Sequence, residues 1–152
     1  MSQLMEMPTT IPAPKCEPRR ELLAGIFRAL DSSGSPWCVV HGYEKFAGEI
    51  ATDIDVLLSP ALNPQKLAEL LKRHETELNA RVVQWLSDGA QWIVIATNDD
   101  VPTILQLHVS YEYELEGRIF YPADEILSTR QKRDDFWIAS PAMEFSCILA
   151  NR

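Results

Sequence analysis

The stretch DIDVLL, Asp53–Leu58, decides the fold more than any other part of the sequence. Its apolar content and short length predict a strand, in which successive side chains point to opposite faces of a sheet. Asp53 and Asp55 then share one face, while Ile54 and Val56 enter the core. Two carboxylates on one face repel each other unless a cation lies between them, and Mg²⁺ or Mn²⁺ prefers such hard oxygen ligands. The pattern fits such a site, and it equally fits two solvated acids at a strand end.

The segment before this strand adds to the cation hypothesis. Residues 37–41, WCVVH, form a short apolar run that predicts a buried strand, and Gly42 follows it directly. A glycine after a strand lets the backbone turn tightly and bring its N–H groups close to a phosphate. An ordinary turn glycine is the alternative. Cys38 and His41 are three residues apart, so we expect a buried cysteine rather than a nucleophile paired with the histidine.

A third element lies at residues 103–110, TILQLHVS, which predict a further strand. Alternation places apolar and polar side chains on opposite faces. The polar face indicates either a cleft or a solvent-facing sheet surface, and His108 gains interest only if it lies beside Asp53 and Asp55. The apolar face holds Leu105, Leu107 and Val109, and the polar face holds Gln106, His108 and Ser110.

The rest of the chain predicts an α/β or α+β fold, with a mixed sheet of about five strands flanked by helices. Residues 1–17 are rich in proline and lack periodicity, which predicts a flexible arm before one domain at 18–152. Trp85 and Trp92 are expected to face each other across a hairpin whose turn is 87–90. The other predicted elements are helices at 18–30, 64–74 (capped by Asn63), 123–130 and 141–151 (capped by Ser140), and strands at 81–86, 91–97 and 118–121.

Composition argues against several classes of function. There are 14 Lys and Arg residues against 22 Asp and Glu residues, so the net charge is 14 − 22 = −8. Non-specific nucleic-acid binding and anionic membranes both favour clustered positive charge, so neither partner is expected here. No apolar run approaches the roughly 20 residues of a membrane span, and no apolar signal core is present, so we expect a cytoplasmic protein. The three cysteines form no CxxC pair that would indicate zinc or a disulfide framework.

These pieces together resemble the nucleotidyltransferase superfamily, the fold of DNA polymerase beta and of the minimal nucleotidyltransferases. That family shows a strand, a hydrophobic-Gly-Gly/Ser turn, a short spacer, a D-hydrophobic-D strand, and a third carboxylate on a later strand. Here the matching segments are 39–43 (VVHGY), the spacer 44–52, and Asp53–Asp55. The sequence of these segments is most similar to that of a bacterial subgroup associated with thymidylate-kinase-like or polysaccharide-biosynthesis polypeptides. The resemblance covers about 18–152, and its specific residues are the glycine and the two aspartates.

The resemblance implies metal-dependent transfer of a nucleotidyl group from a nucleoside triphosphate to a hydroxyl acceptor. The acceptor hydroxyl attacks the α-phosphorus, and pyrophosphate is released. By position, Asp53 and Asp55 match the metal-holding carboxylates, and Gly42 matches the phosphate-loop glycine. Its neighbours His41, Tyr43 and Lys45 complete the predicted nucleotide-binding set, although Tyr43 stands where many members have Ser or Gly.

His108 stands where the family has its third carboxylate, and with Asp53 and Asp55 it completes the predicted catalytic set. Imidazole is a softer ligand and adds no negative charge, but its reference pKa of about 6.5 suits a base near neutral pH. Glu112 or Glu114 would substitute for it if the strand register differed. Three alternatives therefore stay open: an active nucleotidyltransferase, a nucleotide-binding relic without turnover, and a protein-interaction domain.

The sequence predicts the acceptor and the partners less specifically than it predicts the site residues. A small molecule or a protein side chain is expected as acceptor, and nucleic acid is the least expected because of the charge. By resemblance, a second copy or a helical partner protein, or a downstream domain, could complete the pocket. Phe145, Ile148 and Leu149 form an apolar stripe in the last predicted helix, and we expect it to pack on the sheet. D-x-D glycosyltransferases are a weaker match, because their nucleotide-binding strand series is not found.

Overall fold

The computed structural model describes residues 17–150 and has a mixed α/β architecture, in which a seven-stranded mixed sheet is flanked by helices. The helices are α1 (Pro18–Ser32), α2 (Pro64–Leu78), α3 (Ala123–Ser128) and α4 (Pro141–Ala150), with a short 3-10 helix at Tyr43–Ala47. The strands are β1 (Trp37–Val39), β2 (Asp53–Leu58), β3 (Ala80–Asp88), β4 (Ala90–Thr97), β5 (Ile104–Ser110), β6 (Glu112–Leu115), β7 (Arg118–Pro122), β8 (Gln131–Arg133) and β9 (Phe136–Ile138).

The main sheet has the strand order β3-β4-β5-β2-β1-β9-β8. The sequence predicted about five strands, whereas this sheet has seven: it contains the predicted strands at 37–41, 53–58, 81–86, 91–97 and 103–110 together with β9 and β8, which the sequence pattern did not predict. Strand β9 pairs in parallel with β1, and β8 pairs with β9 in antiparallel orientation. The predicted strand at 118–121 is β7, and it pairs with β6 in a separate two-stranded sheet. The predicted arm, residues 1–17, lies outside the described residues except for Glu17.

Helices α1 and α2 begin at residues whose types favour the start of a helix. Pro18 and Pro64 stand in the first turns, where a missing N–H costs nothing. The Asn63 side chain caps α2 by accepting a hydrogen bond from the Lys66 N–H at 3.0 Å. Asn79 ends α2 in the left-handed conformation, with φ of 47°. The predicted cap of α4 is also confirmed, since the Met143 N–H donates to the Ser140 hydroxyl at 3.2 Å.

The sheet is covered unequally on its two faces. Helices α1 and α2 pack on one face over β2, β4 and β5, and they form the larger core cluster. Helix α3 covers the opposite face only at β1 and β2, through Ala123, Ile126 and Leu127. Along β5, Leu105, Leu107 and Val109 are buried while the intervening residues are half-buried, as the alternation predicted. The second face of β4 and β5 therefore stays partly open beside β2.

The β3–β4 hairpin corrects one expectation. Its pairs are Asp88 with Ala90 and Leu86 with Trp92, so the turn centres on Gly89 rather than on a four-residue loop. The observed pairing of β3 with β4 therefore differs by one residue from the pairing that a turn at 87–90 predicts. A shift of one residue changes which side chains of the two strands share a face. Trp85 pairs with Ile93 and packs against the main core. Trp92 lies on the open face, so the two tryptophans do not form the predicted pair.

The apolar stripe of α4 is also not where we expected it. Phe145, Ile148 and Leu149 are exposed, and it is Cys147 that is buried. The stripe therefore does not pack on the sheet. No helix within residues 17–150 is both long enough and apolar enough to cross a membrane.

The loop between β1 and β2 is tied to the start of α1. The Arg19 guanidinium donates to the Ile50 carbonyl at 2.7 Å. The Arg20 guanidinium donates to the carbonyls of Phe46 and Gly48. These bonds satisfy loop carbonyls that no strand pairs, and they fix the loop that begins at the candidate site.

Candidate functional site

Two side chains predicted for the site meet across parallel strands. Strand β2 pairs in parallel with β5, and the register sets Asp55 opposite His108. The His108 Nδ1–H donates to Oδ1 of Asp55 at 2.8 Å. Because Nδ1 carries the proton in this arrangement, Nε2 of the neutral ring keeps a free lone pair. A histidine in this arrangement can act as a base, with one ring nitrogen held by a carboxylate and the other able to accept a proton.

A second histidine reaches the same carboxylate from the end of β1. His41 Nε2–H donates to Oδ2 of Asp55 at 3.0 Å, so each oxygen of this carboxylate accepts one imidazole. The Val40 N–H donates to the Asp55 carbonyl at 3.2 Å, which holds the two strands together beside His41. The sequence pattern predicts His41 in the nucleotide turn but does not predict this contact with Asp55.

The two contacts set the charge of the site. Hydrogen bonds from His108 and then from His41 hold the pKa of the Asp55 carboxyl well below its usual range, despite partial burial. The carboxyl is therefore ionised at neutral pH. The hydrogen bond to Asp55 raises the pKa of His41 above its ordinary value, and partial burial opposes that shift. The side chain of His41 is half exposed, at 50%, so solvent screens its pairing with Asp55.

Trp92 forms the next member of the same row. The β4–β5 register sets it opposite His108. The two rings are stacked, with centroids 3.8 Å apart and planes at 9°. Trp92, His108 and Asp55 thus lie side by side across three strands on the open face of the sheet.

Asp55 and His108, but not Trp92, border a cavity of about 320 Å³. His41, Asp55 and His108 line it together with the β3–β4 turn at Asp88 and Gly89. The lining contains five acidic side chains and, among the described residues, no lysine or arginine. The acidic lining residues are Asp55, Asp88, Glu112, Glu114 and Glu116.

The predicted nucleotide turn borders a second cavity of about 290 Å³, lined by His41, Gly42 and Lys45 among others. Gly42 has φ of 79°, in the left-handed region, so this position does require glycine or a residue that tolerates that conformation. Tyr43 is placed differently from the rest of its set. Its side chain is buried and its hydroxyl donates to the Glu144 carboxylate, so only its backbone faces the turn. Burial and this hydrogen bond raise the pKa of Tyr43 to about 12.

Of the predicted catalytic residues Asp53, Asp55 and His108, Asp53 makes no contact with the cluster of His41, Asp55 and His108 among the described contacts. It is exposed, as the alternation of β2 predicted, and its partner on β5 is Gln106. In the part of the chain from 17 to 150, no three His, Cys, Asp or Glu side chains are arranged to hold a metal ion. A cation held by Asp53 and Asp55 stays a prediction.

The β2–β5 register sets His108, and not Glu112 or Glu114, opposite Asp55, while both glutamates follow the end of β5 and line the same cavity. Cys38 is fully buried, and burial raises its pKa to about 12. A thiol that stays protonated is a poor nucleophile.

The stacking of Trp92 was missed because it depends on the hairpin register, and the residue types at 87–90 favour more than one turn. Alternation along β4 puts Trp92 on the same face as Val94 and Ala96, and the pairing with β5 makes this the face that carries His108. Compared with protein-family models and with curated proteins, the chain gives no match.

Proposed function

We propose that the chain is a nucleotidyltransferase-like domain that transfers a nucleotidyl group from a nucleoside triphosphate to a hydroxyl acceptor. The observation that carries the proposal is the contact between Asp55 and His108 across the parallel strands β2 and β5. The contact supports the proposal because His108, which stands where the resemblance expects the third carboxylate, is hydrogen-bonded to an aspartate of the D-x-D strand.

His108 acts as the general base in this proposal. Asp55 accepts from its Nδ1–H, so Nε2 takes the proton of the acceptor hydroxyl. The acceptor oxygen then forms a bond to the α-phosphorus while the bond to the β-phosphate oxygen breaks, and pyrophosphate leaves. Asp55 is ionised, and it stabilises the imidazolium that forms.

Each of the two cavities receives one of the two substrates. The cavity at Gly42 and Lys45 receives the triphosphate, because it has the turn glycine and a lysine, although Glu44 and Glu144 also line it and a bound cation would have to offset their charge. The cavity at Asp55 and His108 receives the acceptor. Both cavities border His41, so the acceptor hydroxyl and the phosphorus meet beside this residue.

A divalent cation suits the chemistry of the carboxylates. Mg²⁺ is commonly held by one or two carboxylates together with substrate phosphates, and Asp53 is exposed and available. Each oxygen of Asp55 accepts one hydrogen bond and keeps a second lone pair. Asp53 and Asp55 would hold Mg²⁺ or Mn²⁺, and a bound cation would offset charge on the triphosphate and on pyrophosphate.

The lining of the acceptor cavity bears on the acceptor class. Its five acidic side chains, with no lysine or arginine among the described lining residues, repel a polyphosphate backbone. The acceptor is therefore a hydroxyl of a small molecule or of a protein side chain, rather than of a nucleic acid.

A second candidate is a domain that binds the nucleotide without turnover. The observation in its favour is that both oxygens of Asp55 already accept imidazole hydrogen bonds. A cation would then have to share these oxygens, and transfer would be slow or absent. His108→Asp separates the candidates, since a gain of activity indicates that the histidine impairs the site.

Binding and turnover test the proposal together. Isothermal titration with Mg²⁺ and each nucleoside triphosphate is compared for the native protein, Asp53→Asn, Asp55→Asn and the control Asp88→Asn. Pyrophosphate release is then followed across a screen of hydroxyl acceptors. We expect binding that both site variants weaken, and release that His108→Ala abolishes. Absence of binding by the native protein rejects both candidates, and binding without release with every acceptor supports the second.

A further inference from the structure

We propose that Trp92 is a positioning residue for the transfer reaction, an inference that rests on the proposed function. Its indole holds the imidazole of His108 in the plane that directs Nδ1 to Asp55, beside the acceptor cavity that His108 lines. Trp92 belongs neither to the predicted catalytic set nor to the predicted nucleotide-binding set.

The geometry supports this role step by step. The carboxylate of Asp55 fixes one atom of the His108 ring, at 2.8 Å, but a single hydrogen bond leaves the ring free to rotate about it. The indole of Trp92 removes that freedom, because its plane lies 9° from the imidazole plane with centroids 3.8 Å apart. A flat contact of this kind opposes rotation, since rotation would drive ring atoms into the indole.

The pairing of the strands also aligns the three side chains of Trp92, His108 and Asp55. Trp92 is opposite His108 in the β4–β5 register, and His108 is opposite Asp55 in the β2–β5 register. Three neighbouring strands therefore fix the spacing of indole, imidazole and carboxylate. Sites built on paired strands hold their side chains more accurately than sites built on loops.

The tautomer of His108 makes the proposal measurable apart from activity. While the ring stays in place, the proton remains on Nδ1 and Nε2 stays free. If the ring rotates, Nδ1 leaves Asp55 and the proton is no longer confined to that nitrogen. The fraction of the Nδ1–H tautomer therefore reports ring position.

The experiment compares Trp92→Leu with Trp92→Phe, which keeps a flat ring. Val94→Ala is the matched control, since Val94 lies on the same face of β4 and pairs with Gln106 rather than with His108. Nitrogen NMR of histidine-labelled protein gives the His108 tautomer. Pyrophosphate release gives kcat and KM, and thermal unfolding gives Tm. If Trp92→Leu does not fold, Trp92→Met replaces it.

In Trp92→Leu we expect a lower Nδ1–H fraction and a kcat about tenfold lower, with KM for the nucleotide unchanged, because a misplaced base slows chemistry without weakening nucleotide binding. Trp92→Phe should recover most of both properties. The proposal is overturned if Trp92→Leu lowers only Tm while the tautomer and kcat stay native. If the native protein has no turnover, the proposed function fails, and the tautomer alone then decides the role of Trp92.

Discussion

His108 and Asp55 face each other across the parallel strands β2 and β5, and the imidazole Nδ1 lies 2.8 Å from the carboxylate Oδ1. The two residues are 53 positions apart in the chain, so only the sheet brings them together. His41 completes the cluster from the end of β1, at 3.0 Å from the other oxygen. The cluster therefore depends on the register of three strands.

Asp55→Asn should abolish most of the turnover. An amide can present its NH₂ to His108, which favours the wrong tautomer and removes the charge that stabilises imidazolium. Loss of an oriented base costs roughly 10²–10⁴-fold in rate, and we expect pyrophosphate release to fall by at least about 100-fold. Asp100→Asn changes an exposed acid that lines neither cavity, and its rate should stay close to native. Equal effects of the two variants would argue against the base.

The pKa of His41 should be measurably raised in the free protein. The hydrogen bond to Asp55 raises it above the reference value of about 6.5. A raised folded pKa means that this contribution to stability is complete below about pH 6.5 and is lost as the pH rises through the folded pKa. Proton NMR titration should show the shift in the native protein and its loss in Asp55→Asn. Asp53→Asn is the control, and a shift that disappears in this variant too would contradict the assignment to Asp55.

Much of the fold could be predicted from local pattern, and what was missed depended on tertiary pairing. Strand β2 has the predicted bounds, and Asn63 begins α2 as predicted. Strand β9 has three residues and pairs with β1, about 100 positions earlier, through Val39 and Ile138. Strand β8 is the polar run Gln131–Arg133, whose composition gives no strand signal. The residues of β9 are aromatic and β-branched, which favours a strand, but a run of three is too short to indicate one by itself, and its pairing with β1 is set only by the tertiary fold.

In the candidate site, too, local pattern predicted which face a side chain lies on, whereas the contacts depended on tertiary pairing. Alternation along β2 and β5 placed Asp55 and His108 on polar faces, but their contact needed the parallel pairing of the two strands. The contact of His41 with Asp55 depends on where β1 ends, which a short apolar run leaves open. The position of Trp92 could be predicted only with the register of the β3–β4 hairpin. A difference of one residue in that register changes which side chains of the two strands share a face.

Acid should destabilise the native protein through Asp55. Its folded pKa is depressed, so the contribution to stability is present above the unfolded value of about 3.9 and is lost as the pH falls through the folded pKa. The free energy of unfolding in urea should therefore fall more between pH 6 and pH 3 in the native protein than in Asp55→Asn. Asp53→Asn, which removes an exposed acid, should retain the native pH dependence. An identical pH dependence in all three proteins would exclude this role of Asp55.

Leu107 and Leu86 provide a matched test of the sheet's two faces. Leu107 is 1% exposed under α1 and α2, whereas Leu86 is 54% exposed on the open face. Leu107→Ala removes buried methyl groups and leaves a cavity, which should lower the free energy of unfolding by about 3 kcal/mol. Leu86→Ala should change it by less than about 0.5 kcal/mol. Denaturant unfolding measures both, and a large loss at Leu86 would show that the open face is covered in solution.

Gly42 should tolerate asparagine better than alanine. Its φ of 79° is in the left-handed region, and a Cβ added at this position would meet no atom within 4 Å, so a substitution costs backbone strain rather than a clash. Alanine in this region costs about 1 kcal/mol, whereas asparagine enters it more readily. Gly42→Ala should therefore unfold at a lower temperature than Gly42→Asn. If the turn holds the triphosphate, titration with Mg²⁺ and nucleotide should weaken in the same order. A loss of stability without any loss of binding would place the nucleotide elsewhere.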